Sequence, residues 1–214
     1  MRRQQTERSG SSSADTRAKG SCFDALSSWS GIKGTHLLQA GILLMVLAAL
    51  TTFLNALLDE FFPPSAVYAL SLLIVAFVMS LLCFLFLKPG GVIIYLLLVA
   101  AFSYTTHEFG IIGVSKLMIL FVVGVVFELS HLMACRILTH KCASVLISSA
   151  LATATIPLMT IVMLSTGEGQ LLVSAVVNIL ILGLIAGMCG TLLACALYSV
   201  IGNSKILLRF KFRR

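Results

Sequence analysis

Polar residues break the chain into six apolar runs, at about 36–58, 65–87, 91–106, 113–137, 142–165 and 171–201. All but the third reach the ~17–25 residues that a helix needs to cross a ~30 Å hydrocarbon core. The third must stand nearly upright, thin the bilayer locally, or borrow from its polar end, Tyr104 to Glu108. The breaks carry turn chemistry: Pro63-Pro64 after the first run, Lys88-Pro89-Gly90-Gly91 before the third, and Gly167-Glu168-Gly169 between the last two. Every connection is short, so no soluble domain is inserted. The pattern predicts an all-α integral membrane protein, a six-transmembrane-helix bundle spanning 36–201.

One polar position inside a run governs how that bundle must pack. Glu128 sits within the fourth segment, about 21 Å from its start at Val114 and about 12 Å from Arg136 at ~1.5 Å per residue. A carboxylate inside a membrane helix costs at least ~2.5–3.5 kcal/mol on insertion scales, so it is expected to face protein or a water-filled cavity rather than lipid. His131, three residues on, lies within hydrogen-bonding reach of it on the helix face.

Composition agrees with the pattern: 59% of residues are hydrophobic, 11% are charged, and the mean hydropathy is +1.06, outside the range of soluble domains. Charge then orients the bundle. Cytoplasmic loops and flanks are rich in Lys and Arg. With the N-terminus inside, fourteen of the fifteen basic residues lie inside and only Lys116 lies outside. Both termini are therefore expected in the cytoplasm of a plasma-membrane protein, with Asp59, Glu60, Glu108 and Glu168 on an acidic outer face and Glu128 in the inner half. The net charge of +7 does not point to nucleic acid, because the basic residues sit in tails and loops rather than on a folded basic face.

Residues 1–35 and 202–214 read as basic tails, the first too polar to order itself. Phe23, Leu26 and Trp29 could make a short interfacial turn within it. The N-terminal stretch is too polar, and the first apolar run too long, for a cleavable signal peptide. The six cysteines fall in the inner tail, near the inner surface, or within the sixth helix, where no disulfide framework is expected.

The sixth segment repeats small residues every four positions, Gly183, Gly187 and Thr191, on one face where helix backbones can approach closely. The partner of that face is either internal or another subunit. The first segment has a looser stripe, Ala48, Thr52 and Ala56. The fifth is dense in small residues from Ala143 to Thr155, with Pro157 as an expected kink. His131, Cys135, His140 and Cys142 lack established zinc spacing, so no metal is expected. No nucleophile turn, zinc-protease helix or nucleotide loop is present, and the reading is neither an enzyme nor a cofactor binder.

Three features in order, the Lys88-Pro89-Gly90 turn, Gly124-Val-Val-Phe-Glu128-Leu, and the Gly183 to Gly190 run, give the chain a resemblance over residues 36–201. It resembles the substrate-binding (S) components of energy-coupling factor (ECF) vitamin transporters, nearest the thiamine or hydroxymethylpyrimidine branch. The resemblance implies uptake of a small vitamin or cofactor precursor bound in the outer half. It also implies docking on a transmembrane coupling subunit with two ATPase subunits. Members commonly carry an Ala-x-x-x-Ala docking pair in the first helix; here Ala48 is followed by Thr52. The single Trp, in the tail, excludes an indole-stacked pocket.

On this reading Asn55, Asp59, Tyr104, His107, Lys116 and Asn178 present polar groups toward the bundle, and they converge if helices one, four and six are neighbours. Ala48, Thr52, Ala56, Glu128, Gly183, Gly187 and Thr191 serve packing or coupling. The readings set against transport are a membrane scaffold that assembles a complex through its small-residue faces, and an ion-coupled carrier, for which no inverted repeat is evident.

Overall fold

The computed structural model describes residues 34–85, 90–106, 113–165 and 173–201. The two tails lie outside them, apart from Gly34 and Thr35, which already belong to the first helix. So do Lys88-Pro89, His107, Glu108 and Gly167-Glu168-Gly169. All regular structure among the described residues is helical: α1 (Gly34–Phe61), α2 (Pro64–Leu85), α3 (Gly91–Phe102), α4 (Val114–Ile137), α5 (Lys141–Ser165) and α6 (Val173–Ile201).

Five of these, all but α3, are long and apolar enough to cross a membrane. Their outward faces are apolar as well: Leu38, Phe53, Phe61, Met133, Ile137, Leu192 and Val200 are among the large exposed hydrophobics, Ile137 at 81%. Such continuous apolar surface does not suit water, and it marks a multi-pass membrane protein. At 12 residues, α3 is about 18 Å long, well short of the ~30 Å core.

The turn between α1 and α2 is short because Pro64 takes the first helical position, where its missing N–H is no loss, while the Pro63 carbonyl accepts from Ala66 and Val67 N–H. The remaining helices arrange around α2. It packs against α1, α3, α5 and α6, while α1–α3, α3–α4, α4–α5 and α5–α6 complete the surround. The buried core runs through Leu72, Val75 and Met79 of α2, Tyr95, Leu96 and Val99 of α3, and Ile119, Val123 and Phe127 of α4.

This order corrects one expectation. Helices α1, α4 and α6 are not mutual packing partners, so the cleft expected among them is not formed. The reason lies in two sets of side chains. The small-residue faces of α6 seat it on α5 and α2, and the charges of α4 tie it to α3.

The α6 interface is built on close approach. A Cβ at Gly183 would come within 2.9 Å of the Thr153 carbonyl oxygen and 3.0 Å of Ala154 Cα. At Gly187 it would press on Thr153 Oγ1 and lie 2.7 Å from Ala150 Cα, and at Gly190 it would lie 2.8 Å from Leu73 O and Phe77 N of α2. Pro157 has no N–H to offer the Thr153 carbonyl, and Gly183 packs against that same oxygen. Hydroxyls line the seam: the single Thr153 proton is shared between Ser149 O of its own helix at 2.7 Å and Gly183 O of α6 at 2.8 Å, and Ser149 donates to Gly187 O at 3.4 Å. Ser80 of α2 meets Thr191 at 2.8 Å. Thr191 already donates to Gly187 O, so Ser80 is the donor. Gly183, Gly187 and Thr191 therefore pack within the chain.

Candidate functional site

Helix α4 carries two charged residues that meet the bundle, Lys116 and Glu128, twelve positions or about 18 Å apart. That is the length of α3, which runs antiparallel beside it, and each charge reaches one end of α3. At the start of α3, Gly90 takes the left-handed conformation (φ 93°) and offers no capping side chain. Glu128 Oε1 fills that role from the neighbouring helix, accepting from Gly90 N at 2.9 Å and Val92 N at 3.3 Å. At the other end, Lys116, 1% exposed, donates to Ser103 O at 2.8 Å and to Thr106 O and Oγ1 at 3.2 Å each. These acceptors match the three N–H groups of an ammonium. A negative group at the helix N-terminus and a positive one at its C-terminus also complement the α3 dipole. Both charges are thus structural clamps on the shortest helix of the described bundle.

The Glu128 end of α4 holds a second polar group. His131 Nε2 lies 3.3 Å from Cys83 Sγ of α2 and 3.5 Å from Cys135 Sγ, and Cys135 lies 3.6 Å from Ser144 Oγ of α5. His131 therefore turns to thiols, not to Glu128, whose Oε1 is engaged by α3. His140 and Cys142 are exposed. Among the described residues no group of three His, Cys, Asp or Glu side chains is placed to hold a metal ion. Among the described residues Cys83, Cys135, Cys142, Cys189 and Cys195 take part in no disulfide.

The half of the bundle nearer the α1–α2 turn holds the polar groups that packing leaves unanswered. Leu44, Ala48, Thr51 and Asn55 form the buried stripe of α1. Thr51 donates to Leu47 O at 2.8 Å, so in its 2.8 Å contact with Tyr95 of α3 the tyrosine hydroxyl is the donor. One turn nearer the α1–α2 connection, Asn55 is 0% exposed, and neither its Oδ1 nor its Nδ2 has a hydrogen-bond partner. On α2, Ser71 is 1% exposed and its hydroxyl is likewise unpartnered. Asn55 and Ser71 each lie eight residues from Pro63. Counted along the two helices, that puts both about 12 Å from the α1–α2 turn, at one depth in the bundle.

The six expected ligand residues thus separate. Asn55 and Lys116 point into the bundle, Lys116 committed to α3. Asp59, Tyr104 and Asn178 have exposed side chains, so they do not face the interior as expected; His107 lies outside the described residues. Asn178 sits on the α6 face opposite the glycines, which turn to α5. The α1 stripe also splits: Ala48 is 0% exposed, Thr52 is half-buried and donates to Ala48 O, and Ala56 is exposed. It is not one continuous docking face. Ser71, Thr51 and Tyr95 were not among the sequence candidates. Equal spacing of Asn55 and Ser71 about Pro63 is the signal that pairs the first with Asn55. No family model, curated protein or solved structure matches this chain.

Proposed function

We propose that this chain is a membrane-embedded substrate-binding protein that takes a small, vitamin-like metabolite into the outer half of the bundle. The reading keeps the orientation expected from the charges, with six membrane helices, both termini cytoplasmic and the plasma membrane as location. It also keeps the ECF-type partnership with a transmembrane coupling subunit and its ATPases as the source of energy. The observation that carries it is Asn55. A carboxamide with no exposure and neither atom bonded is an unusual expense in a folded interior, where buried polar groups are nearly always paired. A ligand that pairs them restores the balance. Pockets are typically apolar with a few placed polar groups, and the buried core that α1, α2 and α3 share is largely apolar. The scaffold reading drew on small-residue faces, and those of α6 are occupied within the chain.

The test is retention of a metabolite through purification. Native mass spectrometry of the chain extracted in mild detergent is expected to show a bound species smaller than a phospholipid. A spectrum containing only lipid adducts, together with no energised uptake of any vitamin in cells expressing the chain and a coupling module, overturns the proposal.

A further inference from the structure

We infer that the ligand sits between α1 and α2 at the depth of Asn55 and Ser71, and that it is uncharged with one donor and one acceptor on the same edge. Lactams, cyclic ureides and primary carboxamides have such an edge. The inference rests on the substrate-binding reading and adds the place and the chemical class.

The chemistry follows from the two orphan side chains. A carboxamide carries its acceptor oxygen and donor nitrogen in one plane. The partner that satisfies both at once offers the reversed pair, N–H beside C=O, along one edge. The Ser71 hydroxyl, able to donate or accept, answers one further group from the opposing helix. Charge is excluded by what lies around them. A buried ion needs a counter-charge or a dense set of hydrogen bonds. The charges of the neighbouring helices are otherwise engaged: Lys116 is bonded to Ser103 and Thr106, and the Asp59 side chain, four residues on along α1, is exposed. Glu128 lies at the other end of α3.

This site differs from the one the sequence suggested. It needs no contact among α1, α4 and α6, and its two walls are adjacent helices joined by the turn at Phe62-Pro63.

Thermal unfolding of the full chain in detergent, with matched probe pairs, tests the class and the place. Uracil and nicotinamide carry the donor–acceptor edge. In 1,3-dimethyluracil the donors are methylated, and nicotinate is an anion. Stabilisation by uracil or nicotinamide is expected, with at least about tenfold weaker binding of the methylated or charged analogue, because a site built to hydrogen-bond rejects a ligand that leaves its groups unpaired. In Asn55→Leu the stabilisation is expected to vanish while the variant unfolds no earlier than the parent. Ser71→Ala should weaken it less.

Saturable binding of nicotinate or thiamine that depends on Asn55 overturns the uncharged class and leaves the substrate-binding reading standing. Binding of uracil or nicotinamide unchanged in Asn55→Leu overturns the place. No stabilisation by either edge-bearing probe overturns the inference as a whole. A metabolite that still co-purifies with Asn55→Leu then shows binding elsewhere, and its absence from the parent as well removes both readings.

Discussion

The α2–α5–α6 packing and the α1–α2–α3 packing both bring polar side chains into the membrane interior, and they treat them differently. In the first, every hydroxyl named has a partner: Thr153 with Gly183, Ser149 with Gly187, Ser80 with Thr191. The glycines bring the backbones close enough for those bonds to form. In the second, Thr51 and Tyr95 are paired, but Asn55 and Ser71, nearer the α1–α2 connection, are not. Polar residues in a membrane bundle therefore do not form one class. Those with partners explain helix association, and those without are the ones that the proposed substrate-binding reading assigns to a ligand.

The difference is broken most strongly at Gly187. Leucine there would drive its side chain into backbone atoms of α5, so Gly187→Leu should destabilise the chain in detergent by roughly 3 kcal/mol, the upper end of overpacking effects. Unfolding by denaturant would show it, and a variant that folds normally but fails to join a partner subunit would return that face to docking.

Next in size is the clamp on α3. Glu128→Ala removes the acceptor for Gly90 and Val92 N–H and should cost about 2 kcal/mol, within the range for bonds to charged groups and orphaned donors. Glu128→Gln retains an amide oxygen and should cost less. Neither should change metabolite retention by more than about threefold, roughly 0.7 kcal/mol. Abolished retention at normal stability would instead make Glu128 a ligand contact.

Smaller still is the Ser80–Thr191 bond. A double-mutant cycle with Ser80→Ala and Thr191→Val should give a coupling of about 0.6 kcal/mol, the mean for such bonds between membrane helices. The smallest effect on stability belongs to Asn55→Leu, expected near zero or slightly stabilising in the absence of ligand, since it removes an unpaired polar group. A loss comparable to that of Glu128→Ala would mean that Asn55 bonds within the fold after all.

Much of the architecture was legible because membrane helices announce themselves by length and composition. The expected segments and the observed helices agree closely, and five of the six are long and apolar enough to cross a membrane. That Glu128 faces protein followed from the cost of a buried charge. Its partner did not, because the bond joins residues 38 positions apart and requires knowing that α4 lies beside α3. The twelve-residue spacing of Lys116 and Glu128 was visible, and its match to α3 could have been read, but each residue was weighed alone. Asn178 misled for a related reason. Depth can be counted along a helix, whereas the direction in which a side chain faces depends on which neighbours the helix chooses, and the glycines of α6 chose α5 and α2.

The clamp on α3 also bears on how the chain is made. A ribosome delivers α3 to the membrane before α4, so the 12-residue segment arrives without the carboxylate that will cap its first turn or the ammonium that will hold its last. Alone it is a poor candidate for stable insertion, and α4 brings two charges that lipid resists. Together they cancel each other's difficulty. The α3–α4 hairpin is thus the natural unit of insertion, and a chain interrupted between them should leave α3 outside the bilayer or hand it to the cell's quality-control proteases.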